Sequence, residues 1–160
     1  MATTELIAQL RRHEGLRLWV YRCPTGHRTI GYGHNLDANP LSKEDRKAAS
    51  YRDGVISAAG AEWLLQRDVE RTERSLIERL PWVANLDQPR RDALVNMAFQ
   101  LGVAGLCGWK TTLNLLRSGQ WGMAAERMAA TLWARQTRAR AEEIIEQMMT
   151  GKYQPERVKS

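Results

Sequence analysis

Glu14, Cys23, His27, Thr29 and His34 lie in one short stretch of chain, separated by glycines, a proline and hydrophobic runs. Cleaving a glycosidic bond requires a carboxylic acid near the leaving oxygen. It also requires a second group that activates water or stabilises the developing cation. Glu14 is the natural acid, although a glutamate at a helix end also reads simply as a solvated side chain. The same residues allow other chemistry. His13, His27, His34 and Cys23 are zinc-type ligands, but their spacing matches neither a paired-cysteine motif nor a His-Glu-x-x-His helix. Cys23 with His27 or His34 would make a thiolate–imidazole nucleophile, and Asp68 is the carboxylate available to orient the ring.

The elements around these residues explain how they would be positioned. Leu6, Ile7, Leu10 and His13 make a helical stripe over residues 3–13, capped by Thr3 or Thr4 and stopped by Gly15. Leu18 and Val20 mark a strand, Pro24-Thr25-Gly26 a turn, and Thr29 to His34 a second strand. Ser42 and Asp45 form a capping-box pattern for a short helix, and Asp53-Gly54 marks a turn. From Ser57 a long helix, about 58–80, carries Leu65, Val69, Leu76 and Leu80 on one stripe and stops at Pro81. Asp87 and Pro89 open a helix with Ala93, Leu94, Met97, Ala98 and Leu101. Gly102, Gly105 and Gly108 then break the chain. Thr111 or Thr112 starts a helix that ends at Ser118-Gly119. A further helix carries Met123, Met128, Leu132 and Trp133, and a last one runs from Ala139 to Met149. The methionines read as fillers of core gaps.

These patterns predict an α+β, mainly α chain with two lobes. Residues 14–57 form the small β-containing lobe and 58–80 the connecting helix. Residues 81–153 form the helical lobe, packed with helix 3–13, and 154–160 a flexible tail. A chain of 160 residues, 43% hydrophobic and with six tryptophans, has enough apolar surface for such a core. The formal charge of +6 favours an acidic partner, yet the positive charges are interleaved with carboxylates. That pattern argues against a nucleic-acid arm. No stretch is long and apolar enough to span a bilayer, and the first residues lack a secretory pattern. Cys23 and Cys107 form no disulfide framework.

Glu14-Gly15-Leu16-Arg17-Leu18, Tyr21, Thr25-Gly26 and Thr29-Ile30-Gly31-Tyr32-Gly33-His34 resemble the phage T4-type lysozymes, glycoside hydrolase family 24. The family signature is a glutamate, eight residues, an aspartate or less often cysteine, five residues, then threonine. Glu14, Cys23 and Thr29 reproduce it. The resemblance extends over about residues 5 to 153, through Ala98-Phe99-Gln100-Leu101-Gly102, Trp133, Gln136-Thr137 and Arg140. It implies a two-lobed lysozyme-like fold and a muramidase acting on bacterial peptidoglycan. It further implies a monomer that uses neither cofactor nor metal, binds no nucleic acid and is not stably inserted in a membrane. Such an enzyme accumulates in the host cytoplasm and reaches the periplasmic peptidoglycan after release, with a holin as the candidate route.

By the same resemblance, Glu14 protonates the glycosidic oxygen, while Cys23 and Thr29 hold a water on the opposite face of the sugar. Phe99, Gln100, Gln136, Thr137 and Arg140 are the expected substrate contacts. His34 and Asp68 are expected to pair structurally near the site. Cysteine in place of aspartate leaves three readings open. It can be a weak base that positions water, a thiolate with basic or nucleophilic character, or the mark of an impaired enzyme. A lytic transglycosylase and a catalytically weak wall-binding protein are the competing functions.

Overall fold

The computed structural model describes residues 2–155. The chain divides into two compact units, Met1–Arg71 and Thr72–Ser160. The tail expected over 154–160 falls outside the described residues from 156 onward.

The first unit opens with α1, Thr4–Glu14, whose N-cap is Thr3: its hydroxyl accepts from the Leu6 N–H. Leu6, Ile7, Gln9 and Leu10 are its buried face. An antiparallel sheet follows, β1 Arg17–Arg22, β2 Arg28–Gly31 and β3 His34–Asn35, in that spatial order. The single strand expected from Thr29 to His34 is therefore two strands. Gly31 and Gly33 both take positive φ, +69° and +73°, which no regular strand accommodates. The break lets β3 fold back on β2, pairing Ile30 with His34 and Thr29 with Asn35. Asp53 and Gly54 make a tight turn with positive φ at both positions, bridging Arg52 to Val55, and Val55 also meets Trp19 of β1.

Ser42 caps α2, Lys43–Ala48, with the complete reciprocal box to Asp45. The Ser57 hydroxyl accepts from Gly60 at the start of α3, Ala58–Arg79. Beneath the sheet, Ile30, Leu36, Ala49, Ile56, Ala61 and Leu64 form a buried core flanked by Leu18, Val20, Tyr32 and Trp63.

α3 starts in the first unit and ends in the second. A 3-10 turn, Pro81–Asn85, separates it from α4, Gln88–Leu101, which Asp87 caps. Seven consecutive residues of α4, Asp92 to Ala98, are buried, so this helix is enclosed all round rather than on one stripe. Its polar members have partners. Gln88 and Tyr153 donate to the Asp92 carboxylate at 2.8 and 2.6 Å, and Arg140 donates to Asn96.

The glycine-spaced segment contains a short helix, α5, Val103–Cys107. α6, Lys110–Arg117, starts before either threonine. The helix expected to carry both Met123 and Trp133 is two helices, α7 Trp121–Ala129 and α8 Leu132–Gln136. Thr131 separates them by capping α8. α9, Arg138–Thr150, ends in Gly151 at a left-handed φ of +68°. Met97, Met128 and Met148 fill the core of the second unit, while Met123 and Met149 are exposed.

Candidate active site

Glu14 is the last residue of α1, and the turn at Gly15 (φ +69°) ends the helix. The glutamate is half-buried. Its carboxylate lies against the backbone of Gly33: a Cβ at that glycine would stand 2.9 Å from Oε2 and 3.3 Å from Cδ. The β2–β3 turn thus forms one wall beside the acid.

Cys23 follows β1 directly. Its N–H donates to His27 O at 3.0 Å, and its carbonyl accepts from the Gly26 N–H at 2.8 Å. These bonds close the hairpin and fix the sulfur beside the start of β2. The Cys23 thiol is half-buried and unpaired to Cys107. Its Sγ lies 3.0 Å from Thr25 Oγ1. That hydroxyl is the largest influence drawing the thiol from its ordinary value down to about 7. Desolvation opposes the shift, while backbone N–H groups of the turn and the Thr29 side chain add to it. Thr29 is buried on β2, and its hydroxyl donates to His27 O at 2.9 Å.

Tyr21 connects the two ends of this constellation. Burial raises its pKa. The Arg17 guanidinium, 4.4 Å above the ring, opposes that, and the charges at Glu14 and Cys23 push it further up. One phenol therefore senses both groups.

His34 Nδ1 lies 2.7 Å from Asp68 Oδ2, and Nε2 lies 2.9 Å from the Asn39 carbonyl. Both ring nitrogens face acceptors, a geometry only the imidazolium satisfies fully. Burial pushes the His34 pKa down, but the hydrogen bond and charge of Asp68 outweigh it and the net shift is upward. Arg71 completes the cluster by donating to Asp68 and to Asn39 Oδ1. The cluster ties β3 and the following loop to α3.

With both His34 nitrogens engaged, that ring has none left for a thiolate–imidazole pair. His27 meets Cys23 through its backbone, and its ring lies 3.9 Å from Asp37. Among the described residues, no three His, Cys, Asp or Glu side chains converge to hold a metal ion. No described helix is long and apolar enough to cross a membrane.

The expected substrate contacts belong to the second unit. Trp133 Nε1 donates to Gln100 Oε1 at 2.8 Å, and the Thr137 hydroxyl donates to Trp133 O at 2.8 Å. Trp109 meets Trp133 edge to face at 5.6 Å between centroids. The guanidinium of Arg140 is bonded to Asn96 Oδ1 at 2.8 and 3.1 Å. Gln100, Trp133 and Thr137 thus form one group, joined by Trp109, and Arg140 anchors on α4. Phe99 is half-buried and Gln136 exposed at the end of α8.

Sequence reasoning missed Gly33 as the seat of Glu14, Thr25 as the partner of Cys23, and Asn39 as the second acceptor for His34. The Gly-x-Gly spacing and the hydroxyl two residues after the thiol were usable signals for the first two. A backbone carbonyl leaves no signal in the side-chain sequence.

An α+β unit that carries an acid, a thiol and a hydroxyl, followed by a long helix leading into a helical unit, is the lysozyme-like plan. The family model described as phage lysozyme matches residues 11–150, and the chain belongs to that family. Probable T4-type lysozyme 1 of Dictyostelium discoideum is 32% identical over 157 residues, covering 89% of this chain and 92% of that protein. The endolysin of Salmonella phage P22 is 30% identical over 131 residues, 79% of each chain. The pre-baseplate central spike protein Gp5 of Enterobacteria phage T4 is 34% identical over 156 residues. That match takes in 89% of this chain but only 27% of Gp5.

Proposed function

We propose that the protein is a muramidase that hydrolyses β-1,4 bonds between N-acetylmuramic acid and N-acetylglucosamine in bacterial peptidoglycan, for phage-induced host lysis. Family membership supports a peptidoglycan-hydrolysing activity. The observation that carries the site assignment is the half-buried Glu14 carboxylate seated on Gly33, in the same unit as the Cys23–Thr25–Thr29 turn.

In this reading Glu14 donates its proton to the leaving glycosidic oxygen. Thr29 has a lone pair free, because its proton is committed to His27 O, and that lone pair orients the attacking water. Cys23, drawn down to about 7, is partly thiolate near neutral pH and takes the proton from that water. Phe99, Gln100, Gln136, Thr137 and Arg140 contact the polymer, and the His34–Asp68 pair holds β3 against α3. The net charge of +6 assists association with an anionic wall, so binding weakens as salt rises. The enzyme acts as a monomer. It accumulates in the host cytoplasm and reaches the periplasmic peptidoglycan through a holin-dependent route.

Digestion of purified sacculi by the native protein and its Glu14→Gln variant tests the reading. Reducing N-acetylmuramic ends from the native protein, lost in the variant, are expected. Anhydro ends would make the protein a lytic transglycosylase, and binding without cleavage a wall-binding protein. The lowered thiol also favours a second route, in which Cys23 attacks the anomeric carbon directly. Inverted product configuration eliminates that route, and retention supports it.

A further inference from the structure

We propose that Thr25 is a positioning residue for Cys23, donating its hydroxyl proton to Sγ so that the sulfur is held as an anion in a fixed place. The proposal deepens the reading of Cys23 as the group that activates water and rests on it.

Two hydroxyls are within reach of the sulfur, and their proton commitments differ. Thr29 directs its proton chiefly to His27 O at 2.9 Å, and its contribution is the smallest of those that lower the thiol. Thr25 Oγ1 is 3.0 Å from Sγ; either atom can donate while the sulfur carries its proton, and once it is an anion only the hydroxyl can. A short O–H···S contact of this kind is strongest when the acceptor is charged. The turn makes the geometry stiff. Cys23 N–H to His27 O and Gly26 N–H to Cys23 O lock its two ends, and Arg22 Nη1 donates to Gly26 O at 2.8 Å. Thr25 therefore meets the sulfur from a loop with little freedom to retreat.

The surrounding charges leave room for this role. Tyr21 is pushed up, away from ionising near neutrality, and Arg17 is spent on its ring. The His27 ring faces Asp37, and Arg22 faces the Gly26 carbonyl. No cationic side chain among these is directed at Sγ. Directed hydrogen bonds are what remains to favour the thiolate, and the Thr25 hydroxyl is the strongest of them.

The test measures thiolate formation directly and lysis separately. In a Cys107→Ser background, the rate of iodoacetamide alkylation against pH reports Cys23 alone. A midpoint near 7 is expected for this background. Thr25→Val should move it toward the ordinary thiol value of ~8.5, slowing alkylation at pH 7 roughly three- to fourfold once the greater nucleophilicity of the less acidic thiol is counted. Thr25→Ser should keep it low. An unmoved midpoint in Thr25→Val, or a Thr25→Ser midpoint displaced as far as that of Thr25→Val, overturns the proposal. The acid limb of sacculus cleavage should shift with the alkylation midpoint. If the midpoint shifts while that limb stays, the contact is real but Thr25 does not position a catalytic group. If the background protein cleaves no sacculi at all, the muramidase reading itself fails, and the alkylation series still decides whether Thr25 controls the sulfur.

Discussion

The Glu14 carboxylate rests on the bare Cα of Gly33. A methyl group there would stand 2.9 Å from Oε2, inside contact distance, on a backbone already at φ +73°. The cheapest relief is rotation of the glutamate side chain, which moves the acid itself. Gly33→Ala should therefore lower sacculus cleavage by about 10²-fold, the scale of a 1 Å displacement of a catalytic group. The left-handed backbone adds a stability cost of about 1–2 kcal/mol. Turnover measured beside a thermal melt checks this, and a folded alanine variant with native turnover would refute the seat.

Gly60 makes a contrasting contact. A Cβ there would lie 2.3 Å from Ala49 O and 2.6 Å from Ala49 Cα, both backbone atoms. No side chain can rotate away, so α3 must move off the segment that follows α2. Gly60→Ala should destabilise the protein by about 3 kcal/mol, the upper part of the usual overpacking cost. For a chain of this size that lowers the melting temperature by roughly 6–12 °C. A melt within a degree or two of native would show that the helix adjusts without loss.

These two glycines also show what the sequence could and could not reveal. Long periodic stretches were legible, because a 3.6-residue apolar stripe or a Ser-x-x-Asp box has few other readings. α1 and α3 follow from such stripes, α4 from its Asp87 and Pro89 start, and the Ser42 and Ser57 caps from their positions. The order of the units follows from these together, while only the structure chooses Thr3 over Thr4. Breaks inside an apolar run were not. Gly31-Tyr32-Gly33 reads as continuous strand until backbone sterics are known, and Thr131 reads as helix until its hydroxyl bonds Ala134. In the candidate site, Glu14, Cys23 and Thr29 stand out by type and spacing. Two of the groups that hold them, the Gly33 backbone beside Glu14 and the His27 carbonyl that takes the Thr29 proton, belong to the backbone and depend on how it folds.

His34, held between Asp68 and the Asn39 carbonyl, should give the protein a pH-dependent stability. Burial lowers the His34 pKa and the Asp68 bond raises it more, so the folded value lies above the ordinary 6.5. The stabilisation is therefore fully present below about 6.5 and is lost as pH rises through the raised value. Melts between pH 6 and 9 should show a falling midpoint in the native protein. Asp68→Asn should cost about 3 kcal/mol at pH 6, because it leaves a buried imidazole without its counter-charge. It should also flatten the slope in that window. Equal slopes in the two proteins would mean that the pair does not titrate as described.

Replacing Cys23 separates charge from shape at the candidate base. A sulfur ionising near 7 supplies an anion over the neutral and alkaline range, and activity should fall as pH drops through that value. Cys23→Asp carries its charge at any pH well above ~3.9, so its acid limb should move down by roughly three pH units until Glu14 chemistry or folding limits it. Cys23→Ser has no accessible anion and offers only a hydroxyl. It should lose about 10²-fold or more at pH 8, within the usual range for removing a general base. The three pH profiles on purified sacculi, with melts to confirm folding, make the comparison. A serine variant as fast as the native protein at pH 8 would remove the sulfur from the chemistry. Water would then be held by Thr29 alone.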